Sequence, residues 1–393
     1  MTRSPHDAPR VPFFRDPKLR AIAYQVALCV ALGILIYAAV SNAAANLARA
    51  KIASGFGFWN APAGFDISQT LIEYSAQSST FGRAFWVGLT NTLLVAGLGI
   101  ILATILGTVI GIARLSKNFL VGRLAAGYVE LVRNVPLLLQ LLFWYNAVLK
   151  ALPDFANGFA FPGGVLLNNR GLYMPRAVGI DGWHVAAVLA AVVLAGYAFN
   201  ALAARSSGAL GTAAVRFAVT LLIVVGIPVA AFLAMGAPLA FEYPEAGRFN
   251  VRGGVEILPE FVALLFGLVI YTAAFIAEVV RAGLLSVSHG QTEAAQALGL
   301  RRTQTLRLIV IPQAMRVIIP PLTNQYLNLT KNSSLAVAIG YPDLVQIFTG
   351  TVLNITGQAI EVVVITMAVY LSFSLLTSMA MNLYNARIAL VER

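Results

Sequence analysis

Eight stretches of this chain are apolar over roughly the length that crosses a bilayer, and they recur from one end to the other with polar segments between them. They cover about 21–40, 84–113, 128–149, 183–203, 217–236, 259–281, 314–330 and 359–383. A hydrocarbon layer of ~30 Å takes roughly 20 helical residues to span. The pattern predicts an all-α integral membrane protein, a polytopic helical bundle of about eight transmembrane helices.

Composition closes off the alternatives. Of 393 residues 59% are hydrophobic and 11% charged, with a mean hydropathy of +0.80, whereas soluble domains carry about a quarter charged residues. The net charge of +11 would suggest nucleic acid as partner of a soluble chain. Here the basic residues sit between the apolar runs, with an excess on the side that holds both termini. The positive-inside rule places that side, and both termini, in the cytoplasm; the partner is the lipid bilayer and no nucleic acid is expected.

The opposite connections are longer and more acidic, with Asp66, Glu73, Asp154, Asp181, Glu242, Glu245, Glu256 and Glu260, and predict small caps. The stretch 153–176 is rich in Gly, Pro and Asn and reads as loop or hairpin. Residues 1–20 form a basic cytoplasmic tail, 21–83 the first helix with an outer segment, and 388–393 a second tail. Ala43 and Ala45 imitate a signal-cleavage site, but the run before them exceeds a signal core, so an uncleaved anchor is expected.

Within the second run Gly99, Ala103, Gly107 and Gly111 place a small residue every four positions, a packing face for a neighbouring helix. Pro320 and Pro321 predict a bend or local unwinding of the seventh. Glu278 and Arg281 have the spacing to pair on one helix face. Cys29, the single cysteine, can form no internal disulfide. His184 and His289 lack metal-ligand spacing, and neither a metal site nor a catalytic cluster is expected.

Between the sixth and seventh runs lies Ser288-His-Gly-Gln-Thr-Glu-Ala-Ala-Gln-Ala-Leu-Gly299. Ser288 and Gln291 have capping-box spacing, and Gly299 supplies a stop, so a short helix outside the membrane is predicted. Glu293 beside the small pair Ala294 and Ala295 suits a helix seated in a partner's groove; composition alone favours an ordinary Ala-rich connector.

The same segment resembles the EAA loop of binding-protein-dependent ABC importer permeases, through Glu293-Ala294-Ala295, Gly299, Ile309 and Ile311-Pro312 at that loop's spacing. Further phrases are similar to the polar amino acid permeases that include the histidine, glutamine and glutamate systems: Tyr128-Val-Glu-Leu-Val-Arg-Asn-Val-Pro-Leu-Leu-Leu-Gln140, Ala277-Glu-Val-Val-Arg281 and Lys331-Asn-Ser-Ser-Leu335. The resemblance covers about 84–150 and 259–387. Between these blocks some hundred residues are inserted, which looks like the larger permease subunit of general L-amino-acid systems.

The resemblance implies a membrane domain over 84–387: a type I importer core of five helices from 84–150 and 259–387, an inserted region over 151–258 with two helices, and a coupling loop over 286–312. It implies a non-enzymatic permease of a bacterial inner membrane that carries polar or a broad range of L-amino acids. A second, related permease subunit, two ATPase subunits docked on Glu293, Ala294, Ala295, Gly299, Ile309 and Pro312, and a periplasmic amino-acid-binding protein would complete the importer. No phosphate-binding Gly-x-x-x-x-Gly-Lys-Ser/Thr sequence occurs, so ATP and Mg belong to the partner ATPase and no cofactor to this chain. Asn134-Val135 departs from the usual Gly-Thr before Pro136. Arg133 to Pro136 reads either as a broken helix near the gate or as a helix end with a cationic anchor.

Asn324, Asn328 and Lys331, spaced four then three, share one face of the seventh helix. Ionisable groups at mid-bilayer cost about 2.5–3.5 kcal/mol on insertion scales and need a partner or water. The three residues are candidates for contact with the substrate; bridging between helices and snorkelling of Lys331 is the structural reading. An ion-coupled secondary carrier is the rival function, though Glu130 and Glu278 both fall near helix ends on the cytoplasmic side, unlike intramembrane coupling acids.

Overall fold

The computed structural model describes residues 17–49, 54–178, 182–205, 213–236, 240–247 and 251–388. Of the two expected tails, residues 1–16 and 389–393 lie outside the described residues. Twelve helices are described: α1 (Pro17–Arg49), α2 (Phe81–Ala113), α3 (Phe119–Asn134), α4 (Leu137–Leu142), α5 (Gly182–Arg205), α6 (Ala213–Ala234), α7 (Pro259–Leu285), α8 (His289–Ala297), α9 (Arg302–Thr305), α10 (Ile311–Asn332), α11 (Leu353–Thr356) and α12 (Ala359–Ile388).

Six spans are long and apolar enough to cross a membrane: those in α1, α2, α5, α7 and α12, and a continuous one over Arg302–Ala338 that contains α10. A seventh is the bent pair of α3 with α4 and the wide helical turn Phe143–Leu149. The eighth predicted run falls on α6, whose apolar stretch Ala218–Ala234 is shorter. The protein is a multi-pass membrane protein.

The seam between α2 and α7 forms the centre of the bundle. A Cβ added at Gly107 would lie 2.6 Å from Ile276 Cβ, and one at Gly111 2.7 Å from the carbonyl oxygen of Ala277. The backbones can approach this closely only because the small-residue face predicted on α2 is turned inward, with Ala103 fully buried. At the α8 end of the seam Glu278 accepts from Arg114, the residue that follows α2, and, at 2.6 Å, from Arg281 of α7.

α3 and α4 meet at 104°. A proline disfavours helical geometry in the residue before it, and Val135 is accordingly extended (φ −99°, ψ 127°). The break leaves carbonyls of α3 without amide donors. Gln140, almost fully buried, fills the gap by donating its side-chain amide to Val132 O and Val135 O, each at 2.9 Å. The broken-helix reading of Arg133 to Pro136 is the one the fold adopts.

At the other end of the bundle from α8, strands from the segments between α4 and α7 form a small cap. Strands β1 (Phe159–Phe161), β2 (Val165–Asn168), β3 (Gly171–Met174) and β8 (Val255–Ile257) make an antiparallel sheet in the order β1-β2-β3-β8. Short ladders pair β4 (Arg176–Ala177) with β5 (Phe241–Glu242) and β6 (Glu245–Ala246) with β7 (Val251–Arg252). The Gly- and Pro-rich stretch thus folds as hairpins. α5 and α6 pack on each other, and Arg216 of α6 donates to the carbonyl of Ala203 at 2.9 Å.

Two local expectations need correction. Pro320 and Pro321 do not unwind their helix, which stays helical from Ile311 to Asn332. Both prolines lie on its exposed side, clear of the packed face. Ser288 and Gln291 do not form a capping box: Ser288 makes no side-chain cap, and the Gln291 side chain accepts from Gln313 of α10 at 3.3 Å.

Candidate functional site

Two regions carry the polar groups that packing does not explain: the connection from α7 to α10, and one face of α10 with its neighbour α12.

In the connection, α8 ends as its sequence demands. Gly299 takes the left-handed conformation (φ +74°), which costs a side-chain-bearing residue roughly 1–2 kcal/mol. Leu300 N then donates to Ala295 O at 3.1 Å and Gly299 N to Gln296 O at 2.9 Å, the paired closure of a Schellman motif. Ala295 is buried, whereas Glu293 and Ala294 are exposed. The Glu293 carboxylate receives one local partner, His289 Nδ1 at 2.9 Å, itself on the open surface. Ile309 is half-buried in the wide turn Leu306–Val310, and Pro312 is exposed in the first turn of α10.

The six residues therefore divide. Glu293 and Ala294 present a small, exposed, acidic face; Ala295 is buried beneath it and Ile309 half-buried; Gly299 closes the helix; and Pro312 stands in the first turn of the helix that leads back into the bundle.

α10 buries Ala314, Ile318, Leu322 and Leu329 and exposes Val317, Pro320, Pro321, Asn324, Asn328 and Lys331. Contacts with α2 set the depth of this face. Gly88 meets Leu344 near the cap, Gly99 meets Leu329, and Gly111 meets Val280 near the α8 end. At 1.5 Å per residue the outer two contacts stand ~35 Å apart with Gly99 midway. Lys331, two residues beyond Leu329, is thus close to mid-span. It is exposed on the bundle surface and joins no ion pair among those found for the described residues.

Lys331 also lines a cavity of about 480 Å³ between α10 and α12, with Ser334, Val345, Thr366, Met367, Tyr370, Leu371 and Ser374. Asn324 and Asn328 are not among these lining residues; they lie on the same exposed side of α10, nearer α8. Sequence reasoning missed the α12 contribution, although Thr366, Tyr370 and Ser374 recur every four residues along that helix. The three other described cavities are lined almost wholly by apolar side chains.

Behind this cavity, in the connection between α10 and α12, Asp343 is fully buried. Its Oδ2 accepts from the Tyr370 hydroxyl at 3.2 Å and its Oδ1 from Gln346 N at 2.8 Å. Burial pushes its carboxyl up to about 7, against the lowering effect of those hydrogen bonds. Asn91 and Thr92 of α2 hold the same connection through Pro342 O at 2.8 Å and Leu344 N at 3.0 Å. Among the described residues, no cluster of three or more His, Cys, Asp or Glu could hold a metal.

A family model described as binding-protein-dependent transport system inner membrane component matches residues 98–390. The chain is 49% identical over 386 residues to the general L-amino acid transport system permease protein AapQ of Rhizobium johnstonii, covering 96% of this chain and 94% of that one. It is 41% identical over 411 residues to the glutamate/glutamine/aspartate/asparagine transport system permease protein BztB of Rhodobacter capsulatus, with 96% of each covered.

Proposed function

Because the chain belongs to the binding-protein-dependent transport system inner membrane components, we propose that it forms half of the path of an ATP-driven importer for L-amino acids, polar or of broad range. It works in a bacterial inner membrane with both termini in the cytoplasm. A second, related permease subunit forms the other half, a periplasmic amino-acid-binding protein delivers substrate, and two separate ATPase subunits supply the work. The relatives' names, each a permease of an amino-acid transport system, support the substrate class.

The observation that carries the proposal is the division of α8 into an exposed Glu293-Ala294 face and a buried Ala295 anchor. A helix displaced by a docked ATPase must take its attachments with it. α8 is joined to α7 by three residues, to α10 through Gln291 and Gln313, and α7 is locked to α2 along the glycine seam. A push on α8 therefore arrives in α7 and α10 as a rigid-body movement. α10 carries Asn324, Asn328 and Lys331, whose exposed polar face needs water, substrate or another subunit beside it within a bilayer.

Reconstitution with the partner subunits and receptor tests this, with uptake of labelled amino acids measured with and without ATP. Glu293→Lys should abolish uptake and ATPase binding while the protein remains inserted. Undiminished uptake by that variant would refute the docking role, and uptake that persists without ATP would favour an ion-coupled carrier.

A further inference from the structure

We infer that Lys331 sets the charge preference of the membrane path, favouring amino acids with anionic or neutral side chains over those with cationic ones. The inference rests on the transport reading above and adds a substrate class to it.

The lining of the cavity supplies the reason. Lys331 is its one charged residue, and the other polar groups come from Ser334, Thr366, Tyr370 and Ser374. No acid lines the cavity beside it. Asp343 is set behind Tyr370, outside the lining, and its two oxygens accept from Tyr370 and Gln346 rather than from Lys331. Glu361, at the start of α12, is buried and accepts from Gly55 N at 2.5 Å.

A zwitterionic backbone brings one charge of each sign, so the side chain decides the balance. With an acidic side chain the bound amino acid neutralises the ammonium of Lys331. A neutral side chain leaves one net positive charge, and a basic one leaves two. Near mid-span, where water is scarce, such differences are felt across several ångströms. Met367, Leu371 and Val345 offer apolar surface to the rest of a side chain without selecting among shapes.

The test uses proteoliposomes with the complete complex and compares L-glutamate, L-glutamine and L-arginine uptake. Each variant is referred to the unmodified complex with the same receptor, which cancels the receptor's own selectivity. Lys331→Met should lower the glutamate-to-glutamine ratio at least fivefold and raise arginine-to-glutamine by a similar factor, and Lys331→Arg should keep both ratios. Ratios within twofold in a transporting Lys331→Met complex would overturn the inference.

If Lys331→Met does not transport, Lys331→Cys in a Cys29→Ser background gives a second measurement. Aminoethyl methanethiosulfonate should restore uptake with the original ratios, and the sulfonatoethyl reagent should not. Equal restoration by both, or none by the first, overturns the inference. Labelling of Asn324→Cys and Asn328→Cys by the same reagents separates the two readings. If they react while the ratios stay unchanged, the charge preference alone fails; if no position reacts, the path itself fails.

Discussion

The side-chain amide of Gln140 donates at 2.9 Å to the backbone carbonyl of Val132, one turn before the break in its own span. It also reaches Val135 O, so one side chain serves two acceptors that Pro136 has deprived of partners. A buried acceptor without a donor costs about 1–3 kcal/mol. Gln140→Leu should therefore lower the thermal midpoint of the purified complex by several degrees, whereas Gln140→Glu, which offers no amide donor, should be at least as harmful. An unchanged midpoint for Gln140→Leu would show that water or backbone adjustment replaces the amide.

Gly299 closes α8 with a positive φ. In Gly299→Val a β-branched residue would have to adopt that conformation, so the Schellman closure should open and loosen the exposed Glu293 face. Co-purification of the ATPase should fall severalfold while the amount of inserted chain stays constant. Normal co-purification would mean that docking tolerates a frayed helix.

The α2–α7 seam has no room at Gly107 or Gly111. Overpacking a close-packed site typically costs 1–3 kcal/mol, and here a backbone carbonyl is the obstacle at Gly111. Gly111→Leu should reduce the denaturation midpoint and weaken uptake, while Gly97→Leu, at a position with open space around it, should leave stability within about 0.5 kcal/mol.

Asp343 gives a pH dependence with a definite sign. Its folded carboxyl titrates near 7, raised chiefly by burial, against ~3.9 in an unfolded chain. The folded state thus holds the proton more tightly, and the associated stability is full below ~3.9 and lost as pH rises through about 7. Asp343→Asn should raise the melting temperature at pH 8 and make little difference near pH 4, where other carboxylates dominate. Equal melting temperatures at pH 8 would place the charge in a wetter setting than the structure shows.

Much of this architecture could be read from the sequence, because a bilayer imposes long apolar runs that need no tertiary knowledge to recognise. The small-residue face of α2 was legible for a similar reason: Gly99, Ala103, Gly107 and Gly111 keep a strict four-residue interval. Gln291 was misjudged because its spacing from Ser288 allows a local bond, while Gln313, its actual partner, is brought near only by folding. The unwinding expected at the prolines of α10 does not occur, because the penalty of a lost hydrogen bond says nothing about which side of the helix it falls on. The share of α12 in the Lys331 cavity could have been suspected from the interval of Thr366, Tyr370 and Ser374. Asp343 could not, since nothing in its neighbours along the chain foretells burial.

The three glycine contacts of α2 differ in what stands opposite. A Cβ added at Gly88 or Gly111 would meet main-chain atoms, Leu344 Cα at 2.9 Å and Ala277 O at 2.7 Å, but one added at Gly99 would meet the methyl ends of Leu329 at 3.1 and 3.4 Å. A methyl can rotate away and a carbonyl cannot. α2 thus faces main-chain atoms of α7 and the cap connection but side-chain ends of α10, so of its three joints the one with α10 is the softest when α7 and α10 move together.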